Sequence, residues 1–286
     1  MLFMKKILYS LLLLSYLCVS CEKDNGGPIV EDKPKGEPSF VIASYNILHD
    51  TPDIPDHYNW EVRKPLLINQ VKEQGIDILC LQEDWENQAI DIQSSLGFQS
   101  TGTTKRIMYD GSRFRVKTQG MFWLSPTPDR SSTGWDASGP RQCNWALFND
   151  RNTNRDFYVF NVHFDHIGVV AREHSALLMK DRLQKMTNGI PVFVTGDFNT
   201  APGTPPILTM SSVVTDSRSI SASTPQGPIG TFNGMDVERD LNANRRIDYI
   251  FVSNHIKVHD YAVVVSPTNN IYPSDHFPVI IKAELK

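Results

Sequence analysis

From residue 39 onward the chain reads as short apolar runs broken by compact polar clusters. Residues 40–47 alternate and predict a strand. Residues 60–74 keep helical spacing, with Leu67 and Val71 one turn apart and Gly75 as a stop. Residues 76–82 form a nearly continuous apolar run, the pattern of a strand covered on both faces. A helix over 86–96 should end at Gly97.

The middle is strand-rich. Runs at 105–109 and 112–118 flank Asp110-Gly111, a hairpin signal. Further strands are predicted over 120–124, 142–148 and 157–164. A helix then carries the stripe Val169, Ala176, Met179, Leu183 and Met186. Residues 191–195, 247–252, 258–265 and 279–283 complete the strand set. Strands in number, helices between them and no internal repeat predict an α/β sandwich in which two packed sheets carry helices outside. No linker interrupts the chain after residue 39, so one domain is expected over 39–286.

The first residues have a different pattern. Lys5 and Lys6 precede an apolar run over 7–19 that ends at Ser20-Cys21. This is the design of a secretory signal, too short to span a bilayer comfortably. Residues 17–21 also resemble a bacterial lipobox, which makes Cys21 the lipidated first residue of an envelope-anchored, exported protein. An ordinary signal peptide cut nearby is the alternative. Residues 21–38 read as a flexible tether.

The 286-residue chain has 28 basic and 32 acidic residues, a net charge of −4. Removing residues 1–20 takes Lys5 and Lys6 and no acid, which leaves 26 against 32, or −6. Tight, sequence-independent binding of long DNA relies on many cation–phosphate contacts and is disfavoured by that balance. Beyond Cys18 and Cys21, only Cys80 and Cys143 remain, both in apolar runs that suit buried thiols better than a disulfide.

The candidate chemistry sits where apolar runs stop. The run at 192–196 delivers Asp197 and Asn199, and a carboxylate with an amide can hold a water and a phosphoryl oxygen. Two residues apart on an extended chain, they would face the same side. Asp248 opens another strand. Asp275-His276 precedes the last strand, and a carboxylate partner fixes the tautomer and raises the basicity of a His. Upstream, residues 78–82 lead to Glu83, and residues 43–45 lead to Asn46. His163 ends the run over 157–164, near Asp165 and His166; spacings of one and two residues on a strand split the faces, against a zinc site there. Asp236, Asp240, Asn242 and Asn244 lack the glycine and terminal acid of a calcium loop and read as a solvated loop.

Taken in order, Tyr45-Asn46, Leu81-Gln82-Glu83, Asn161-Val162-His163, Gly196-Asp197-Phe198-Asn199, Arg246-Ile247-Asp248-Tyr249 and Ser274-Asp275-His276-Phe277-Pro278 resemble the endonuclease/exonuclease/phosphatase superfamily. That group includes the DNase I-like nucleases, neutral sphingomyelinases and inositol polyphosphate phosphatases. Residues 122–125, 134–136 and 141–145 further resemble a bacterial branch of metal-dependent hydrolases.

The resemblance implies a four-layer α/β sandwich of mainly antiparallel sheets and a metal-dependent phosphoester hydrolase, whether diesterase, phosphatase or nuclease. It implies Glu83 as principal ligand of Mg²⁺, with Asn46 beside it and Asp275 nearby; Mn²⁺ or Ca²⁺ are alternatives. Asp197 would orient or deprotonate the attacking water, and Asn199 would bind a phosphoryl oxygen. His276 would contact phosphate with Asp248 as its partner, and His163 would aid departure of the leaving group. Arg141 would contact phosphate or form a structural salt bridge. The partners implied are a phosphoester (small molecule, lipid headgroup or nucleic acid) and, through Cys21, a membrane, with the protein a monomer. A binding protein on the same fold with catalysis lost is the competing reading, and specificity is expected in the loops between 101 and 145.

Overall fold

Strand alternation sorts this chain into layers. The computed structural model describes residues 36–242 and 245–286. The expected signal segment, Cys21, nearly all of the tether and Asn244 lie outside the described residues. Twelve strands form two sheets of six. The first sheet contains β1 (Ser39–Asn46), β2 (Ile78–Gln82), β3 (Gln99–Thr101), β4 (Ile107–Tyr109), β11 (Ile256–Val263) and β12 (Val279–Leu285), in the order β11-β12-β1-β2-β4-β3. The second contains β5 (Phe114–Trp123), β6 (Gln142–Asp150), β7 (Arg155–His163), β8 (Val192–Asp197), β9 (Thr215–Asp216) and β10 (Asp248–Val252), in the order β5-β6-β7-β8-β10-β9. Both sheets are antiparallel except for one parallel pair each, β1 with β2 and β7 with β8.

Residues of one parity on each strand build the core between the sheets: Phe40 and Ile42, Ile78 and Cys80, Phe157 and Val159, Phe193, Ile250 and Val252. The opposite parity faces helices. Ala43, Tyr45, Leu79 and Leu81 meet α1 (Trp60–Glu73) and α2 (Glu86–Leu96) through Leu67, Val71, Ala89 and Ile92. Phe160, Val162, Val192 and Val194 meet α3 (Val169–Met186) and α4 (Pro205–Ser211) through Ala176, Met179, Leu183 and Ile207. The result is helix, sheet, sheet, helix, the four-layer sandwich that the resemblance implied. Cys80 and Cys143 are free, buried thiols in different apolar clusters.

One local expectation fails. The runs flanking Asp110-Gly111 do not pair with each other: β4 belongs to the first sheet and β5 to the second. Asp110 accepts from Ser112 N–H and turns the chain from one sheet to the other. A tight turn fixes a reversal of direction, while the partner of each arm is set by the rest of the sheet. The runs at 112–118 and 120–124 are also one strand, interrupted by a bulge between Val116 and Thr118.

Candidate active site

At one end of the sandwich the inward-facing parity changes from apolar to polar on five strands. Beyond Ile42 it places Ser44 and Asn46; beyond Cys80, Gln82; beyond Val159, Asn161 and His163; beyond Phe193, Thr195 and Asp197; and ahead of Ile250, Asp248. The strand register then aligns these groups: Asp197 lies opposite both Asp248 and His163, and Asn46 opposite Gln82. The deeper members tie the sheets together. Gln82 Nε2 donates to Asn161 Oδ1 at 2.7 Å, and Thr195 Oγ1 donates to the same oxygen at 3.2 Å. These bonds leave Gln82 Oε1 as a buried acceptor without a partner among the described residues, and the outer members of the layer, His163 and Asp197, line a cavity of about 530 Å³.

Glu83, Arg141, His163, Asp197, Asn199, Asp275 and His276 line that cavity, while Asn46 and Asp248 are buried just beneath it. All nine residues expected from the sequence therefore converge. Asn46 Nδ2 donates to Glu83 Oε1 and to Asp197 Oδ2, both at 3.1 Å, and so spans the two sheets. Asp248 Oδ2 lies 2.8 Å from His276 Nδ1, which leaves Nε2 to face Asp197 Oδ2 at 3.8 Å. His163 Nε2 lies 3.4 Å from the same oxygen. Asp197 and Asn199 meet through a turn and not through an extended chain: Asn199 has φ 50 and donates its N–H to Asp197 Oδ1 at 2.8 Å. Gly196 is required because β8 passes so close to Val162 of β7 that a Cβ would overlap its carbonyl.

Burial, with Asp248 alongside, raises the Asp197 carboxyl above the ordinary carboxylate range. Burial pushes the His163 imidazole down to about 3, which keeps it neutral. Burial also works to lower His276, but Asp248, Asp197 and Asp275 hold it well above the usual histidine value. For Glu83, burial opposes ionisation, and the His49 hydrogen bond with the nearby His163 holds the carboxyl below its ordinary range. Burial raises Asp275.

Two sets of donors could hold a cation. Ligand atoms of Asp197, Asp248 and His276 lie within 4.8 Å of one another. In that set Asp248 Oδ2 already holds a ring nitrogen of His276, while Asp248 Oδ1 has no hydrogen-bond partner among the described residues. Glu83, Asn46 and Asp275 offer the oxygens a hard divalent ion accepts. Among the described residues no Lys or Arg forms an ion pair with Glu83, Asp197 or Asp275; their direct charged contacts are imidazoles, although Lys105 and Arg141 line the same cavity. The donor set fits a divalent cation.

Three further residues matter that the sequence did not single out. His49 Nδ1 lies 2.5 Å from Glu83 Oε2, with its ring stacked 6.0 Å from that of Trp85. Lys105 lines the cavity, and its ammonium has no hydrogen-bond partner among the described residues; burial lowers its pKa. Arg63 lies beneath the site and donates to the carbonyls of Ile47, Leu48, Tyr58 and Pro273. Proximity to Asn46 marks His49, and a basic residue in the 101–145 loops marks Lys105. Arg63 sits on α1 with no local signal.

Arg141 forms the salt bridge that was one of its two expected roles. Its Nε pairs with Asp165 Oδ2 at 3.1 Å and one terminal nitrogen meets His166 Nδ1 at 2.8 Å, while the side chain still lines the cavity. Asp165 is engaged with Arg141, Ser138 and the N–H groups of Ile167 and Gly168, which accounts for it without zinc.

Fold and site together define an α/β-sandwich hydrolase with an acidic, imidazole-rich centre at one end of two packed sheets. The profile of the Endonuclease/Exonuclease/phosphatase family matches residues 43–276, and the chain belongs to that family of phosphoester hydrolases. Among solved structures it is similar to a mannosyl-6-phosphatase of Bacteroides thetaiotaomicron, with 32% identity, a TM-score of 0.79, and coverage of 85% of this chain and 99% of that one. It is also similar to an endonuclease/exonuclease/phosphatase from Bacteroides vulgatus, with 28% identity, a TM-score of 0.81, and coverage of 87% and 100%. An uncharacterised protein of Acanthamoeba polyphaga mimivirus is 30% identical over 162 residues; the match takes in 50% of this chain and 60% of that relative's length.

Proposed function

We propose that this chain is a divalent-metal-dependent phosphomonoesterase acting on a phosphorylated sugar. The observation that carries this reading is that carboxylates and cations line one cavity. Glu83 and Asp275 line it with Lys105 and Arg141, the one Lys and the one Arg of the lining, which supply positive charge for phosphate oxygens beside His276. A nuclease would need cations extended along a strand, and the chain is net acidic. The similarity to a mannosyl-6-phosphatase supports a sugar phosphate.

A divalent cation held by Glu83, Asn46 and Asp275 would polarise the phosphoryl group and offset its charge. Asp197, its carboxyl raised toward neutrality by burial, orients water for in-line attack and accepts its proton. Asn46 and the Asn199 N–H fix that carboxylate from two directions. His276, kept protonated by Asp248, donates from Nε2 to a phosphoryl oxygen, and the Asn199 amide donates to another. Neutral His163 stands beside Asp197, and the departing sugar oxygen takes its proton from solvent. Release of phosphate from mannose 6-phosphate by purified residues 39–286, taken as the catalytic domain, tests the reading. No release from any phosphomonoester, with cleavage of bis(p-nitrophenyl) phosphate instead, would replace it with a diesterase.

The basic start, short apolar run and Cys21 support an exported protein anchored to the envelope by lipid. Full-length protein should enter the detergent phase on Triton X-114 partition, and Cys21→Ser should move it to the aqueous phase. Aqueous partition of both forms would contradict the anchor.

A further inference from the structure

Beside the catalytic cavity, across residues 102–105, lies a second groove of about 540 Å³. The two share a wall: Thr104 and Lys105 line the catalytic side, Gly102 and Thr103 the other. Two residues of β6 brace that wall. Gln142 Nε2 donates to Thr104 Oγ1 at 2.6 Å, and Asn144 Nδ2 donates to the carbonyls of Thr104 and Lys105.

The lining is chemically unusual for this chain. None of its nine residues is ionisable, although 21% of the sequence is charged. Three amides, Gln119, Gln142 and Asn144, face hydroxyls from Ser100, Thr101 and Thr103. Gln142 and Asn144 are only 8% and 2% exposed, and among the described residues their carbonyl oxygens accept no hydrogen bond. Neither oxygen is sealed from solvent, so both are open to accept from water or from a bound hydroxyl group.

The lining sorts the candidate occupants. A nucleic-acid backbone would need cations here, and a base would need an aromatic face to stack on; neither is present. An acyl chain would need an apolar wall, and Met121 is the one large apolar side chain in the lining. An uncharged polyol offers donors and acceptors together, which amides and hydroxyls match in kind.

We propose that this groove is a saccharide subsite, which takes the sugar next to the phosphorylated one. The substrate class is then a phosphorylated oligosaccharide, as against a phospholipid or a nucleic acid. The assignment of the phosphate to the neighbouring cavity rests on the phosphomonoesterase reading above.

Gln119 is exposed on β5 and takes no part in the catalytic centre, so Gln119→Trp should fold and fill the groove. Wild type should prefer 6-phosphomannobiose to mannose 6-phosphate by about tenfold in kcat/KM, the worth of one or two neutral hydrogen bonds. Gln119→Trp should erase that preference and leave turnover of mannose 6-phosphate unchanged. Independently of turnover, unphosphorylated mannotriose titrated into wild type should shift the side-chain amide NMR signals of Gln119, Gln142 and Asn144, and the shifts of Gln142 and Asn144 should be lost in Gln119→Trp. Equal kcat/KM for the two phosphates, or amide signals that do not move at millimolar trisaccharide, would overturn the subsite. Were no phosphomonoester turned over at all, the phosphomonoesterase reading would fall, and the mannotriose titration would still decide the groove.

Discussion

Asp197 faces Asp248 directly across the β8–β10 ladder, and both carboxylates are buried. Two like charges at one register position are costly unless cations or protons compensate them. His276 provides that compensation between them, at 2.8 Å from Asp248 and 3.8 Å from Asp197. Asp197→Asn removes the proton acceptor and should lower kcat by about 10²–10⁴-fold with little change in KM, read by steady-state phosphate release.

The pH dependence follows from His276. Its folded pKa is raised, so the charged ring favours the folded state: this stability is full below the unfolded pKa and is lost as pH rises through the folded value. Activity that needs the protonated ring should fall on the alkaline side. Asp248→Asn removes the largest raising influence and should move that alkaline limb to lower pH in a kcat/KM profile. An unchanged limb would mean that another group sets it.

At the scale of elements, the site is a product of strand parity. Alternation places Asn46, His163, Asp197 and Asp248 on the inward face; they were legible as polar residues at the ends of apolar runs, and through the resemblance that their motifs carry in order. The pairing of β4 and β5 was not legible, because Asp110-Gly111 reads the same whether its arms pair or part. His49, Lys105 and Arg63 were missed for a related reason: their positions depend on loops and long-range packing. Glu83, Lys105 and Asn199 all hold left-handed φ values, 57, 50 and 50, at the rim of one cavity. Such backbone costs about 1–3 kcal/mol per residue and survives only where neighbours enforce it.

Arg63 braces two other segments that feed the site. Its guanidinium joins the chain after β1, which carries His49, to the segment at Pro273, just before Asp275. Arg63→Ala strands buried carbonyls and should destabilise the fold by about 3 kcal/mol or more, measured by urea denaturation. Its activity should fall further than its folded fraction does, because both loops feed the site. A stability loss under about 1 kcal/mol would remove Arg63 from this role.

For the whole molecule, the two sheets meet twice, through an aromatic and aliphatic core and through the polar layer that ends in the catalytic cavity. The acidic side of that cavity should make stability depend on divalent ions. Mg²⁺ bound to the folded state alone stabilises by mass action, so thermal unfolding should shift upward with Mg²⁺ concentration, and Glu83→Gln should abolish the shift. The same variant should remain folded without metal, since it removes one of several buried negative charges.

Hydrolysis of a phosphomonoester by this constellation, with the help of a divalent ion, is the proposed activity. It is tested most directly by following inorganic phosphate released from mannose 6-phosphate with Mg²⁺, with EDTA, and with EDTA followed by excess Mg²⁺, in wild type and Asp197→Asn. Wild type should release phosphate with Mg²⁺, lose that activity to the chelator and regain it with the added ion, while Asp197→Asn should be about 10²–10⁴-fold slower with Mg²⁺. Equal rates with Mg²⁺ and EDTA, or an Asp197→Asn enzyme as fast as wild type, would contradict it.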